Sequence, residues 1–246
     1  MSVYDRIGTT YSGTRRPDPR IERQIAEALG DARSVVNVGA GAGSYEPRDR
    51  DVVAVEPSAV MLDQRPPDAA PAIQGTAEEL PFEDDAFDAA LAVLTMHHWS
   101  DWRRGVAELR RVARRRIVVL TFDPASIRRY WLVRDYLPEI AVVDDGRFPA
   151  LATVAEELGG AEAQVVPIAD DCSDGFLCAA WKRPLRYLDA TARANISNLA
   201  VLPAEVVKPA MTRLERDVAD GTWAERNADL LELQEADFGY RLLVAS

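Results

Sequence analysis

Lysine, cysteine and histidine each occur only twice in a chain of 246 residues. The two cysteines, Cys172 and Cys178, are not spaced as metal ligands or as a disulfide framework, so a reducing compartment is expected. Positive charge is also short: 29 Lys and Arg face 40 Asp and Glu, a net charge of −11. Binding a phosphate backbone needs a basic face, so nucleic acid is not an expected partner. No apolar run reaches the length of a membrane span, and the N-terminus lacks a signal-peptide core. The expectation is a cytoplasmic protein with no membrane partner. At 48% hydrophobic and 28% charged residues, the length suits one sizeable α/β domain with an elaboration and is too short for two full ones.

The most informative stretch is Val35-Val36-Asn37-Val38 running into Gly39, Gly41 and Gly43 at alternate positions. It reads as a buried parallel strand ending in a glycine turn, where missing Cβ atoms let a ligand approach the backbone. A second strand, Val52-Val53-Ala54-Val55, ends in Glu56, a carboxylate placed to accept hydrogen bonds from a ribose diol. The pair implies a nucleoside-containing ligand at the end of a parallel sheet. A dinucleotide would want a third glycine where Ser44 stands, followed by a helix aimed at the pyrophosphate. Only residues 44–51 separate the turn from the next strand, and they include Pro47 and the alternating charges Arg48, Asp49, Arg50 and Asp51. That is too short for a full crossover helix.

On these residues the chain resembles the class I S-adenosylmethionine-dependent methyltransferases, of the broad kind that includes the quinone C-methyltransferases. The resemblance is carried by VVNVGAGAG (35–43), VVAVEPS (52–58), GTAEELPF (75–82), FDAALAV (87–93) and HHWSD (97–101), in the family's order, and covers about the first half of the chain. It implies S-adenosyl-L-methionine as cofactor, no metal, and a Rossmann-like seven-stranded, mostly parallel sheet with an antiparallel last strand. It also implies where that cofactor sits: on Gly39, Ala40 and Gly41 for backbone room, and on Glu56, Pro57, Ser58 and Met61 after the second strand. Thr76, Ala77 and Glu78 would hold the adenine, and Leu94 the end of the fourth strand. Thr76 stands where the family usually has an Asp, which leaves the backbone contact at Ala77 as the expected one. Tyr11 and Arg16, from an N-terminal lid segment (1–30), would meet the methionine carboxylate, since a fixed cation suits that group; equally, Tyr11 packs and Arg16 is a solvated surface charge.

His97 and His98 follow the fourth strand, at the edge of the ligand crevice. A histidine there has a pKa suited to deprotonating an acceptor as the methyl group arrives, which makes both candidate catalytic residues; the alternative is that the pair packs under the cofactor or caps the next helix. Adjacent side chains diverge, so at most one reaches the acceptor. The strand end has no Asp/Asn-Pro-Pro-aromatic signature of base-amino methyltransferases. It shows no carboxylate cluster of the metal-dependent catechol kind, and two cysteines are too few for arsenite chemistry. A small-molecule acceptor is therefore expected, with a nucleoside-binding protein or an NAD(P)-dependent reductase as rivals. The short-chain reductase kind needs a Tyr four residues from a Lys, and neither Lys182 nor Lys208 has one.

Further along, Tyr130, Trp131, Arg134 and Tyr136 read as an aromatic helix, either core or acceptor-pocket wall. Residues 170–237 break the strand-helix alternation and read as a helical cap inserted before the last strand, 238–244, in a single domain spanning 1–246. Asp171, Asp174 and Phe176 are expected to face the pocket from that cap.

Overall fold

The computed structural model describes residues 16–145 and 147–246, so Tyr11 lies outside the described residues. Helix α1 (Pro19–Leu29) starts at Asp18, whose side chain accepts from the Arg20 amide, and it ends at Gly30 with φ +57. Its stripe of Ile21, Ile25, Ala28 and Leu29 is buried against Val35, Val118 and Leu120 of the sheet. This part of the segment expected as a lid is therefore a layer of the core, where each large aliphatic side chain contributes about 1.5–3 kcal/mol of burial.

The sheet has seven strands: β1 (Ser34–Val38), β2 (Asp51–Glu56), β3 (Ala72–Gln74), β4 (Phe87–Val93), β5 (Ala113–Phe122), β6 (Glu162–Val165) and, last in the chain, β9 (Tyr240–Ala245), in the order β3-β2-β1-β4-β5-β9-β6. The pairs joining β1 to β5 are parallel. β9 slots between β5 and β6 and runs antiparallel to both, with Leu120 opposite Leu242. The sheet interior is Val and Ala because both faces are covered. On one face helix α3 (Trp102–Val112) and helix α6 (Leu151–Glu157) pack Val106, Leu109, Val112 and Val154 onto Val36, Ala90 and Val119. Gly105 lies inside α3 because the Trp99 ring occupies the place a side chain would take.

The connection from β1 to β2 contains turns and no helix. Its shape is held instead by Glu46, which accepts from Asn37 Nδ2 at 3.2 Å and is bonded to Arg65 at 2.8 Å. Both members of that ion pair are nearly sealed from water. Tyr45 in the same loop sits at φ +63, buried. Its hydroxyl donates to Asp174 at 2.8 Å and accepts from the Asp18 amide, tying the glycine turn to α1 and to a segment far along the chain.

That segment is the insertion. A two-stranded ribbon, β7 (Ile168–Ala169) with β8 (Glu235–Ala236), clamps its base. Between the two run short helices and the longer α9 (Ala204–Ala219), which buries Ala210, Met211 and Leu214. Tyr130, Trp131 and Tyr136 are buried beneath it. Trp131 donates to the Trp181 carbonyl at 2.8 Å and packs edge-on against Trp223 and Tyr187. These aromatics are the core joining insertion to sheet, and burying such area outweighs any lining role.

Candidate functional site

At the carboxyl ends of β1, β2 and β4 lies a hollow of about 360 Å³. The strand order reverses there between β1 and β4, the place where open α/β sheets leave a crevice. Its floor is the glycine turn. Gly39 has φ +69, and a Cβ built on it would overlap the Thr95 side chain. Bare backbone at Gly39 is thus demanded by its left-handed φ and by the Thr95 side chain just past β4. At Gly41, with φ +54, a Cβ would lie 3.2 Å from the flexible end of Met61, so the left-handed backbone rather than packing is what selects glycine. The Gly41 amide donates to Glu56 Oε2 at 2.8 Å, and the Ser58 amide donates to Glu56 Oε1 at 2.8 Å. The buried Glu56 carboxylate is therefore oriented at the edge of the hollow by two backbone groups.

Gly39, Ala40, Gly41, Glu56, Pro57, Met61, Thr76, Ala77, Glu78, Leu94 and His98 all line this hollow. Ser58 does not. It is fully buried and acts from behind, its Oγ capping the short helix α2 (Ala59–Leu62) through the Met61 amide. Glu78 faces the hollow, yet its Oε1 accepts from the Ser100 amide at 2.7 Å, the Ser100 hydroxyl and the Asp101 amide. It couples the loop after β3 to the start of α3. Arg16 is exposed and outside the lining. Residues of the wall that sequence reasoning passed over include Asn37, Tyr45, Thr95 and Trp99. Only Asn37 carried a signal, a polar side chain within an otherwise apolar strand.

The charges of the hollow bear on what fits it. Its lining includes the carboxylates of Glu56 and Glu78 and, among the described residues, no arginine or lysine. A pyrophosphate would meet two anions and, among the described residues of the lining, no cation. A ligand that presents a ribose, a sulfonium and an ammonium to these carboxylates suits the same surface, its own single carboxylate being outweighed by the two cations.

The two histidines part company. Both lie on a single 3₁₀ turn, Met96–His98, with ring centroids 3.9 Å apart. His98 lines the hollow, and burial, with Arg147 adding to it, pulls its pKa down to about 4. It is a neutral imidazole at working pH and a weak proton acceptor, contrary to the reading of it as a base tuned to that pH. His97 turns instead to a second cavity of about 70 Å³ and stacks on Phe148 at 4.4 Å.

Leu94, in the left-handed region at φ 49, borders both spaces. The second is walled by Phe122, Phe148, Phe176 and Tyr240, with Asp144, Asn195, Ser197 and Asn198 among its polar members. Phe176 reaches it from the insertion as expected of a cap residue. Asp171 does not: it is 75% exposed and paired with Arg20 at 2.7 Å. Asp174 is spent on Tyr45. None of Tyr130, Trp131 and Tyr136 lines it. Asp144 went unnoticed in the sequence because only the fold brings residues 144 and 198 to the end of β4. Among the described residues, no three His, Cys, Asp or Glu side chains gather to hold a metal ion.

Comparison with known proteins agrees with this geometry. A family model described as a methyltransferase domain matches residues 36–119. The crystal structure of a protein from Anabaena variabilis, designated a methyltransferase of an antibiotic biosynthesis pathway, superposes with TM-score 0.87 at 34% identity, covering 94% of this chain and 98% of that one. An uncharacterized methyltransferase of Bacillus subtilis is 31% identical over 133 residues, 50% of this chain and 48% of its own length. The chain thus spans about half the length of that curated relative. The [4+2]-cyclase SpnF, at 18% identity and TM-score 0.54 over 98% of this chain and 92% of its own, shares the fold alone.

Proposed function

The chain belongs to the class I S-adenosylmethionine-dependent methyltransferases, and from that we propose that it methylates a small apolar or aromatic acceptor seated in the cavity beside the cofactor hollow, without a metal. The observation that carries this reading is the pairing of the two spaces: a glycine-floored, anionic hollow and an aromatic cavity, with Leu94 common to both.

When bound, S-adenosylmethionine supplies a methyl group already activated on a positively charged sulfur. The protein's work is then to align and to exclude water, the source of most of the acceleration in such displacements. Glu56 would hold the ribose hydroxyls in the orientation the Gly41 and Ser58 amides give it. Ala77 would meet the adenine edge through its backbone, with Thr76 beside it. His98, uncharged, would lie near the sulfonium without repelling it. Arg16 and Tyr11 are proposed for the methionine carboxylate, and the test is that Arg16→Ala weakens cofactor affinity without shifting acceptor KM.

Calorimetry with S-adenosylmethionine, S-adenosylhomocysteine and NAD decides the cofactor. Micromolar affinity for the first two is expected, and binding of NAD with neither of them ends the reading. S-adenosylhomocysteine formation is then followed over a panel of small phenols, amines and carbon acids. Tight cofactor binding with no turnover across that panel would replace methyl transfer by a binding-only role.

A further inference from the structure

The cavity walled by Phe122, Phe148 and Phe176 contains one carboxylate, Asp144, which is only 2% exposed. It lies in the last turn of helix α5 (Glu139–Asp145), where the negative end of the peptide dipoles opposes an anion. One oxygen, Oδ2, accepts from Asn198 Nδ2 at 3.2 Å. The other oxygen receives no hydrogen bond from a described residue. An ionisable group set among phenyl rings at the wrong end of a helix is costly for the fold. An asparagine would serve the contact with Asn198 as well. The placement makes sense if the second oxygen faces a guest that brings a donor.

We propose that Asp144 takes the hydrogen of the acceptor's hydroxyl or amino group, so that the accepting atom is oxygen or nitrogen bearing a proton, and neither a carbon nor a carboxylate. The inference rests on the methyl-transfer reading above. In the step, the lone pair of the acceptor atom forms its bond to the methyl carbon. The carbon–sulfur bond breaks with its pair left on sulfur, and the acceptor's proton passes to Asp144, which returns it to solvent. Burial lifts the Asp144 carboxyl to about 6, against the Asn198 amide and the Arg147 charge, with Asp145 adding to the rise. That keeps it ionised at neutral pH yet basic enough to hold a proton in passing. His97 and Tyr240 are the other titratable side chains on the cavity wall. A negatively charged acceptor would be repelled, and one without a donor would leave the buried oxygen unpaired, which is the strongest form of rejection a pocket has. The volume, about 70 Å³, is under half of the roughly 150 Å³ that admits a benzene ring. The cavity therefore takes the reacting head of the acceptor, the remainder lying toward its open side.

The test measures binding of phenol, aniline, toluene and benzoate to the full chain saturated with S-adenosylhomocysteine, by ligand-detected NMR, for the wild type and Asp144→Asn. Phenol or aniline should bind at least about tenfold tighter than toluene to the wild type, benzoate weakest, and the preference for the donor should shrink to about threefold or less in the variant. Which of phenol and aniline leads tells oxygen from nitrogen. Wild-type affinity for the winning probe should fall as pH drops from 7.5 to 5, and this measurement stands even if the variant does not fold. Equal binding of phenol, aniline and toluene, or an undiminished preference in Asp144→Asn, overturns the assignment while leaving the methyltransferase reading intact. Failure of S-adenosylhomocysteine itself to bind takes both down.

Discussion

Replacing Asp144 by asparagine should stabilise the protein, and by an amount that depends on pH. The group's pKa, raised by burial from its usual 3.8 to about 6 in the folded state, corresponds to about 3 kcal/mol opposing the ionised form. Because the folded value lies above the unfolded one, the carboxyl favours folding relative to its ionised state only in acid. That contribution is complete below pH 3.8 and is gone once the pH has risen past about 6. Asparagine has the same shape, can still accept from Asn198, and does not titrate. The stability gap, variant over wild type, should therefore widen by about 1.5 kcal/mol between pH 5 and pH 8. It should be flat above pH 7. Urea unfolding at four pH values reads it directly through the midpoints, provided the slopes agree between the two proteins. In thermal melts the same widening is about 3–6 °C for a chain of this size. A gap that stays constant within about 0.5 kcal/mol from pH 5 to 8 would show that Asp144 is hydrated in the folded state and would refute the argument from burial.

Gly39→Ala forces a side chain into Thr95 at a left-handed φ, so a loss of about 3 kcal/mol and of cofactor binding is expected; calorimetry returning a Kd within twofold of wild type would contradict it. Glu56→Ala removes the acceptor that two amides orient and should weaken S-adenosylhomocysteine by more than about tenfold, with acceptor-side probes unaffected. Arg65→Ala leaves Glu46 buried without its cation and should cost about 3–5 kcal/mol in urea unfolding, whereas a cost below about 1 kcal/mol would mean the β1–β2 loop does not rely on the pair. His98→Gln should preserve the shape of the pH–rate profile between pH 5.5 and 8, because His98 titrates near 4; loss of an acidic limb in that variant would mark His98 as the base.

The two cavities differ in how far the sequence announced them. The cofactor hollow is built from local signals: β-branched runs end in glycines at residues 39 and 41, an acid closes β2, and the loop at 75–78 follows β3. Each is a short-range pattern in which residue type and backbone conformation are coupled, so it reads without knowing the fold. The tight turn at Gly39 was legible, whereas the second reason for a glycine there was not, because the Thr95 side chain that excludes a Cβ comes from the turn after β4, 56 residues away. The divergence of His97 and His98 was legible from their adjacency, but which space each would face was not.

By itself the sequence determined the alternation of parallel strands and helices in the first half of the chain and the glycine turn at the end of β1, which follow from periodicity and spacing along a few dozen residues. The antiparallel return of the last strand was implied only by the family resemblance. Tertiary structure alone decided the second cavity. Asp144 and Phe148 share one turn at the end of α5, but Phe176 and Asn198 join them only because the insertion folds back on the sheet. The aromatic run at 130–136 was ambiguous for the same reason: whether a helix face becomes core or pocket wall depends on what lands on it, and the insertion landed there.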